Sequence, residues 1–189
     1  MKVIVMTDIS SCRAGRGEPD DTQSLFRLLL YSDQLEILGL IATYTNHLDR
    51  AEPALLRQVI EAYAKVQDTL CAAGPFMRAE DLASRVYSGS SALAEAQPGG
   101  PAADAVSEGA RHIVRCVDAS PDPVWILAWG GVYDLAQALY LARREKDAAA
   151  FAAFLAKLRI HSIDDQYDGW GPILRAEFPD LFYVVSHDS

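Results

Sequence analysis

The sequence has few of the features that mark several large protein classes. It contains only three cysteines, Cys12, Cys71 and Cys116, and no CxxC pair, so neither a disulfide framework nor a cysteine zinc site is indicated. Basic residues are outnumbered, and the formal net charge of −9 argues against nucleic acid as a partner while suiting a metal-binding site. No uncharged apolar run approaches membrane-spanning length, and neither GxGxxG nor GxxxxGK[ST] occurs.

The N-terminus lacks the basic region and the apolar stretch of a secretory signal. We therefore expect a cytoplasmic protein, or a mature domain whose leader has been removed. The 189 residues suffice for one domain with a hydrophobic core, and neither an internal repeat nor a low-complexity linker is visible. We predict a single domain over residues 1–189 that binds no membrane and no nucleic acid.

Short β-branched runs alternate with segments of helical periodicity along the whole chain. The predicted strands cover residues 2–7, 36–43, 124–129, 159–163 and 181–186. The predicted helices cover residues 21–32, 51–66, 104–117, 133–146, 148–158 and 170–177. The stretch 72–102 is the least regular, and one short helix is expected in it. This alternation predicts an α/β fold with a mostly parallel, Rossmann-like sheet and helices on both faces.

The most informative feature is a group of carboxylates beside the first predicted strand. Asp8 follows that strand, and Glu18, Asp20 and Asp21 stand at the start of the next helix. Such a cluster is costly unless a cation or a shared proton offsets the repulsion. Helix capping is the competing interpretation: Asp20 could be the N-cap, Pro19 could start the helix, and the acidic side chains could favour its positive end.

Polar and aromatic residues follow the other predicted strands at the same edge of the sheet. Because the carboxyl ends of parallel strands meet there, a ligand site is expected at this edge. The residues concerned are Thr43 to Asn46, Trp129 to Gly131, Asp164-Asp165 and His187-Asp188. Trp129, Trp170 and Tyr167 offer aromatic faces that would suit sugar binding.

Histidines and cysteines are weaker candidates. His47, beside Asn46, is the better histidine candidate for a leaving-group contact, but simple exposure is the favoured interpretation. His161, inside a strand, is expected to be a packed side chain, and His112 to be structural or solvated. Cys12 lies in the polar loop near the carboxylates, but no activating base is evident nearby in sequence, so a nucleophilic role is not expected.

Together these motifs resemble a known family. The run VIVMTDI…EPDDTQSLFRLLLYSDQLEILGLIATYT, with WILAWGGVYDLAQAL and FPDLFYVVS further on, resembles the nucleoside-hydrolase-like proteins. Their functions are largely unassigned, and some are labelled cellulose-binding. A more distant similarity is to the calcium-dependent, inosine- and uridine-preferring nucleoside hydrolases, whose signature is a strand followed by DTDxGxDD. The similarity covers nearly the whole chain and implies a nucleoside-hydrolase-like α/β fold.

The resemblance implies a calcium ion that binds the sugar hydroxyls and the attacking water. Asp8 matches the aspartate that ligates calcium and takes the proton from that water. Asp20 and Asp21 match the DD pair, and Trp129 occupies the position whose backbone carbonyl completes part of the shell. Aspartates, a carbonyl and waters are the hard oxygen ligands that calcium prefers.

The resemblance also implies a substrate and a reaction. Asn46 is matched to a sugar-hydroxyl contact, and Asp164 and Asp165 fall by position where other substrate contacts lie. The implied reaction is calcium-dependent hydrolysis of an N-glycosidic or related glycosidic bond in a small sugar or nucleoside. Such cleavage passes through an oxocarbenium-like state, which nearby carboxylates stabilise.

The chain departs from the family pattern in two places. Eleven residues, Ile9 to Pro19, separate Asp8 from the DD pair. They either bulge outward or place Arg13 or Arg16 against the carboxylates. Nucleoside hydrolases are also much longer and take their last aspartate ligand from the part that is missing here. His187-Asp188 echoes that ligand pair but arrives early, so a C-terminally shortened chain is expected, and dimerisation could complete the edge.

Three other readings compete with the hydrolase. A phosphoryl-accepting receiver domain fits poorly, because the acidic pair here opens a helix after a long loop and no lysine closes the fifth strand. A catalytically silent carbohydrate- or nucleoside-binding protein would keep the cleft and the metal without product release. An inert or swapped fragment would bind no metal and would melt without cooperativity.

Overall fold

A computed structural model describes residues 1–13, 19–102, 106–166 and 168–187. Its strands are β1 (Lys2–Thr7), β2 (Glu36–Ala42), β3 (Tyr44–Thr45), β4 (Arg50–Ala51), β5 (Val86–Ser88), β6 (Val124–Ala128), β7 (Leu158–Ile163) and β8 (Phe182–Ser186). Its helices are α1 (Asp20–Leu29), α2 (Pro53–Ala64), α3 (Gln67–Ala73), α4 (Ala79–Ala83), α5 (Glu108–Ala119), α6 (Tyr133–Glu145), α7 (Ala148–Lys157) and α8 (Trp170–Glu177).

Six of these strands form one sheet in the order β5-β2-β1-β6-β7-β8, and β3 and β4 form a separate hairpin. Every pairing in the large sheet is parallel, which confirms the predicted α/β class. The chain begins in the middle of the sheet, adds β2 and β5 on one side, and then returns to add β6, β7 and β8 on the other. The strand order therefore reverses between β1 and β6, where open α/β sheets bind their ligands.

Two hydrophobic clusters lie on opposite faces of the sheet. One contains the buried side chains of α5, α6, α7 and α8 packed on alternate residues of the strands, such as Ile4, Ile126 and Ile160. The other contains side chains of α1, α2 and α4 packed on the intervening residues, such as Val3 and Leu40. In the described parts of the chain, no helix combines the length and the apolar character needed to cross a bilayer.

The structure differs from the sequence-based elements in several places, among them the hairpin of β3 and β4, which was not predicted. The strand β5 was not predicted, because its three residues lie in a stretch rich in glycine and serine. The helix predicted over 51–66 ends at Ala64, and α3 follows almost at once. The helix predicted over 104–117 begins at Glu108, because the Ser107 hydroxyl accepts a hydrogen bond from the Ala110 amide and so caps the helix. Residues 103–105 lie outside the described part of the chain.

Candidate functional site

The candidate site lies at the reversal point of the strand order, where Asp8 leaves β1. The backbone of Thr7 accepts a 2.8 Å hydrogen bond from the Thr43 amide, and Met6 accepts one of 2.9 Å from the Trp129 amide. The segments that leave β2 and β6 therefore flank Asp8 on both sides. Asp8 also lies against Gly130, where an added Cβ would be only 2.6 Å from the Asp8 carboxyl carbon.

Asp21 is the buried member of the predicted acidic pair. It sits in the first turn of α1, is 8% exposed, and accepts a short hydrogen bond from the hydroxyl of the fully buried Thr7. Burial raises the pKa of the Asp21 carboxyl to about 8; the Thr7 hydrogen bond lowers it, and the charge of Asp8 and a hydrogen bond with Asp8 raise it further. A carboxyl with this pKa is protonated at neutral pH, so Asp8 and Asp21 form a hydrogen-bonded acid pair.

Asp20 occupies a different environment although it is the next residue in the chain. Its side chain is exposed, and Glu18 lies outside the described residues. Pro19 takes the N-cap position of α1 without a side-chain hydrogen bond, so Asp20 is not the N-cap. Asp20 and Asp21 do lie in the first turn of α1, at its positive end, as the capping interpretation also proposed. Among the described residues, no three His, Cys, Asp or Glu side chains are grouped in a way that could hold a metal ion.

Trp129 lies directly after β6, with a half-buried side chain. Its carbonyl, the predicted calcium ligand, accepts a 3.3 Å hydrogen bond from the Gln166 side-chain amide. The same amide donates to the Ile163 carbonyl at 3.2 Å, so Gln166 joins the ends of β6 and β7. A carbonyl oxygen has two lone pairs, and the second one on Trp129 is not used by this bond.

The other predicted substrate contacts lie in two separate groups. Asn46 is exposed in the turn between β3 and β4. Asp164 is also exposed, has a positive φ of 60°, and contacts the His187 ring nitrogen at 2.9 Å. Asp165 accepts two hydrogen bonds from Arg175, at 2.7 and 2.6 Å, and this pairing lowers the pKa of the Asp165 carboxyl.

A cavity of about 470 Å³ opens between the loop after β1 and the β3–β4 turn, and neither Asp8 nor Asp21 lines it. It is lined by Ser10, Ser11, Cys12, Arg13, His47, Leu48, Leu55 and Gln58. The Arg13 side chain is exposed in this lining, and Arg16 lies outside the described residues. The cavity has room for part of a small ligand, and its lining includes His47, for which simple exposure was the favoured interpretation.

The cysteines behave as the sequence predicts, since all three are free. The Cys12 thiol contacts the Leu55 carbonyl at 3.6 Å, and burial raises its pKa. A raised thiol pKa leaves little thiolate at neutral pH, which argues against a nucleophilic role.

Among the aromatic candidates, Trp170 was assigned wrongly. It is fully buried, its indole nitrogen donates a 3.1 Å hydrogen bond to the Ala94 carbonyl, and it stacks on Tyr133 at 5.6 Å. No face of this ring is available to a sugar, because α8 carries it into the core. Tyr167 lies outside the described residues. His112 is structural as expected, stacked on Tyr87 at 3.7 Å and bonded to the Leu38 carbonyl at 2.9 Å.

Two aspartates that sequence reasoning missed lie beside the acid pair. Asp134, 1% exposed in the first turn of α6, accepts hydrogen bonds from the Ser90 amide at 2.8 Å and the Ser107 hydroxyl at 2.5 Å. Asp168, 8% exposed, accepts one of 2.8 Å from the Tyr133 amide. Burial raises the pKa of each carboxyl to about 6.

Glycines could have revealed these aspartates in the sequence. An added Cβ would collide with Asp134 at Gly89, with Asp8 at Gly130, and with Asp168 at Gly131. Each carboxylate thus packs directly on backbone that carries no side chain. Two adjacent glycines after a buried strand are the visible signal, because they permit this close approach.

The comparisons with known proteins agree with this geometry. The family described as "Cellulose-binding Sde182, nucleoside hydrolase-like domain" matches residues 2–189. A solved structure, of a nucleoside hydrolase-related hypothetical protein from Saccharophagus degradans associated with carbohydrate metabolism, superposes with a TM-score of 0.82 at 30% sequence identity. The match covers 97% of this chain and 43% of that one, so this chain spans less than half of its length.

No curated protein sequence matches this chain. The family match extends over almost every residue, and the TM-score of 0.82 shows that the solved relative has the same fold over the matched part. The chain therefore belongs to the cellulose-binding Sde182, nucleoside hydrolase-like family.

Proposed function

We propose that this protein hydrolyses N-glycosidic bonds of nucleoside-like compounds, or related glycosidic bonds of small sugars, at the acid pair of Asp8 and Asp21. The observation that carries the proposal is the hydrogen-bonded contact between these carboxyls at the reversal point of the sheet. Perturbed carboxyls in a strand-end cleft are typical of sites that move protons. The family description and the description of the solved relative both concern carbohydrates or nucleosides.

A calcium ion suits the donor chemistry of this corner. Asp8, Asp20, Asp21 and the Trp129 carbonyl would hold it, and Asp20 would have to turn inward, because its side chain is exposed in the structure. A buried carboxyl whose pKa reaches about 8 is stabilised by either a proton or a cation, which supports cation binding at Asp21. When bound, calcium would attract sugar hydroxyls and water and neutralise the carboxylates.

In the reaction that we propose, Asp8 accepts a proton from the water whose oxygen bonds to the anomeric carbon. The glycosidic bond breaks with its electron pair on the leaving group, which takes up a proton from solvent. Without calcium, a protonated Asp21 donates to Asp8. With calcium held at this corner, Asp21 would be an ionised ligand, oriented by the Thr7 hydroxyl that donates to it. The negative charge near the sugar favours the oxocarbenium-like transition state. No covalent intermediate is needed.

Substrate contacts are assigned to the groups around this pair. We place the sugar near Asn46 and Asp164, which are exposed, and near the cavity lined by Ser10 and His47. Asp165 would act through its bidentate pair with Arg175, because both of its oxygens are already bonded.

The test combines calcium titration with product analysis. Chelator-stripped protein is titrated calorimetrically with calcium, and Asp20→Ala/Asp21→Ala serves as the variant without the site. Nucleosides and p-nitrophenyl glycosides are then screened for sugar release by the wild type and by Asp8→Asn. We expect saturable calcium binding that the double variant loses, and release that Asp8→Asn lowers by about a hundredfold or more. Calcium binding retained in the double variant would remove the assignment of the metal site.

A catalytically silent carbohydrate-binding protein is the second candidate. The family description favours it, because it names cellulose binding beside the likeness to nucleoside hydrolases. Binding of cello-oligosaccharides or nucleosides that Asp8→Asn leaves intact, with no product after prolonged incubation of the wild type, would establish this function instead.

A further inference from the structure

Three buried polar residues outside the acid pair line one narrow crevice at the strand ends. Thr43 follows β2, Asp134 lies in the first turn of α6, and Asp168 shortly precedes α8. Gly131 lines the same crevice and adds no side chain that could fill it. As bounded by the described residues, the crevice has no room for a water molecule, so water does not complete the hydrogen bonding of these groups.

The Thr43 hydroxyl is the observation that points to a ligand. Its residue is only 3% exposed, and its oxygen has no hydrogen-bond partner among the residues that the structure describes. A hydroxyl beside two carboxyls normally donates to one of them, yet Thr43 donates to neither Asp134 nor Asp168. A buried hydroxyl without a partner is destabilising, so a bound group that accepts electron density from its oxygen would remove this loss.

The two carboxyls keep unused acceptor capacity. Asp134 receives both of its hydrogen bonds, from Ser90 and Ser107, on Oδ1, so its Oδ2 has none from the described residues. Asp168 accepts one backbone amide on each oxygen, and each oxygen retains a further lone pair. Within the described ranges, no lysine, arginine or histidine pairs with either carboxyl. The charge of Asp134 raises the pKa of Asp168, so the two groups repel each other.

Helix ends offset only part of this negative charge. Asp134 lies at the positive end of α6, and Asp168 accepts the Tyr133 amide of α6 and the Trp170 amide of α8. Burial nevertheless raises the pKa of each carboxyl to about 6, so the charge remains incompletely compensated. The helix ends also leave the Thr43 hydroxyl without a partner. A small cation in the crevice would satisfy both the carboxyls and the hydroxyl oxygen.

We propose that this crevice binds one dehydrated sodium ion between the carboxyls of Asp134 and Asp168 and the hydroxyl oxygen of Thr43. The ion ties the end of β2 to the starts of α6 and α8. This site is separate from the calcium site proposed at Asp8 and Asp21, and it does not depend on the hydrolase function.

Size and charge select sodium among the common cations. Potassium is about as large as a water molecule, for which the crevice has no room, whereas a bare sodium ion is smaller. Magnesium keeps several waters, and calcium takes about six to eight oxygen ligands, more than two carboxyls and one hydroxyl supply. Each helix N-terminus counts as roughly half a positive charge, so two helix ends and one monovalent ion balance two carboxylates.

Stability in sodium and potassium salts tests the proposal. Urea unfolding is followed by tryptophan fluorescence at about pH 8, where both carboxyls are ionised, in about 0.3 M NaCl or KCl. A chelator, added as its potassium salt, removes calcium throughout. The variants are Thr43→Val, which removes the hydroxyl oxygen and keeps a similar shape, and Asp134→Asn. Asp180→Asn makes the same chemical change at an exposed position outside the crevice and serves as the control.

We expect sodium to raise the equilibrium constant for folding of the wild type and of Asp180→Asn by about tenfold or more over potassium. Thr43→Val and Asp134→Asn should lose this difference. In potassium, Thr43→Val should be at least as stable as the wild type, because it removes a hydroxyl that has no partner. The line width of the ²³Na magnetic resonance signal should increase with wild-type protein and not with Thr43→Val.

Equal stability of the wild type in the two salts overturns the proposal. A sodium preference that Thr43→Val retains also overturns it, because the ion would then be bound elsewhere. Circular dichroism establishes that each variant is folded, and if Asp134→Asn does not fold, Thr43→Val decides alone. Because calcium is absent throughout, neither result depends on the calcium site or on hydrolysis.

Discussion

Substitution of Asp21 by asparagine is the sharpest test of the acid pair in calcium-free protein. The folded-state pKa of Asp21 is about 8, above its ordinary value of 3.8, so between these values the folded chain binds more protons than the unfolded chain. Under that condition the free energy of unfolding falls as pH rises. The wild type should therefore lose stability between about pH 4 and pH 8. Asp21→Asn should not, because asparagine keeps the Thr7 hydrogen bond and carries no titrating proton.

The size of the effect follows from the raised pKa. At about 1.4 kcal/mol per pKa unit, a change from 3.8 to about 8 corresponds to about 6 kcal/mol above pH 8. Near pH 7 the variant should be more stable than the wild type by several kcal/mol, reduced by whatever the asparagine amide loses against Asp8. Urea unfolding followed by tryptophan fluorescence, at intervals from pH 4 to pH 9 in the presence of chelator, measures this difference.

The neighbouring Asp20 provides the control. Asp20→Asn makes the same chemical change one residue away at an exposed position, and it should alter stability by no more than about 0.5 kcal/mol with an unchanged pH slope. Saturating calcium should abolish the downward slope of the wild type, since binding favours the ionised carboxyls. If calcium-free Asp21→Asn loses stability between pH 4 and pH 8 as steeply as the wild type, Asp21 is not the buried acid described above.

Three further outcomes follow from the site and the core. Gly130→Ala places a Cβ 2.6 Å from the Asp8 carboxyl carbon and should weaken calcium binding by about tenfold or more, measured calorimetrically; unchanged affinity would mean that Asp8 is not a ligand. Trp170→Ala should lower the free energy of unfolding by about 3–5 kcal/mol in urea titrations, because this ring is fully buried; a loss below about 1 kcal/mol would contradict its place in the core. Arg175→Met should lower the free energy of unfolding by no more than about 1 kcal/mol, since the Arg175–Asp165 pair is partly exposed. In the wild type, the contribution of this pair should fade as falling pH protonates Asp165.

The fold could be predicted from the sequence because its strands are long, β-branched and buried. The runs at Lys2–Thr7 and Val124–Ala128 are apolar on both faces, which is typical of central parallel strands. The edge strand Val86–Ser88 could not be found in this way, since three residues carry no readable period. Its place beside β2 is determined by contacts with helices distant in sequence, α2 and α5.

The site was predicted in part, and the misses have a physical cause. Asp8 and Asp21 meet because the end of β1 and the start of α1 are forced together, and the pattern of the first 30 residues shows this. Asp134 was not predicted as a site residue, because a carboxylate in the first turn of a helix is normally a favourable surface residue. Only burial of the whole α6 surface, from Tyr133 to Ala142, makes Asp134 an interior group, and burial depends on the complete fold.

The energetics of the acid pair indicate a site that takes up a proton or a cation. A protein that only binds sugar can use exposed or hydrogen-bonded polar groups, such as Asn46 and Asp164, without any loss of stability. A carboxyl with a pKa of about 8, held by Thr7 against a second carboxyl, lowers stability at neutral pH. Strained groups of this kind are typical of sites where a proton or a cation must be accepted during a reaction. The buried Asp134 and Asp168 at the strand ends are two further carboxyls with raised pKa values. The loss of stability at neutral pH is therefore concentrated at the strand ends and not spread over the protein.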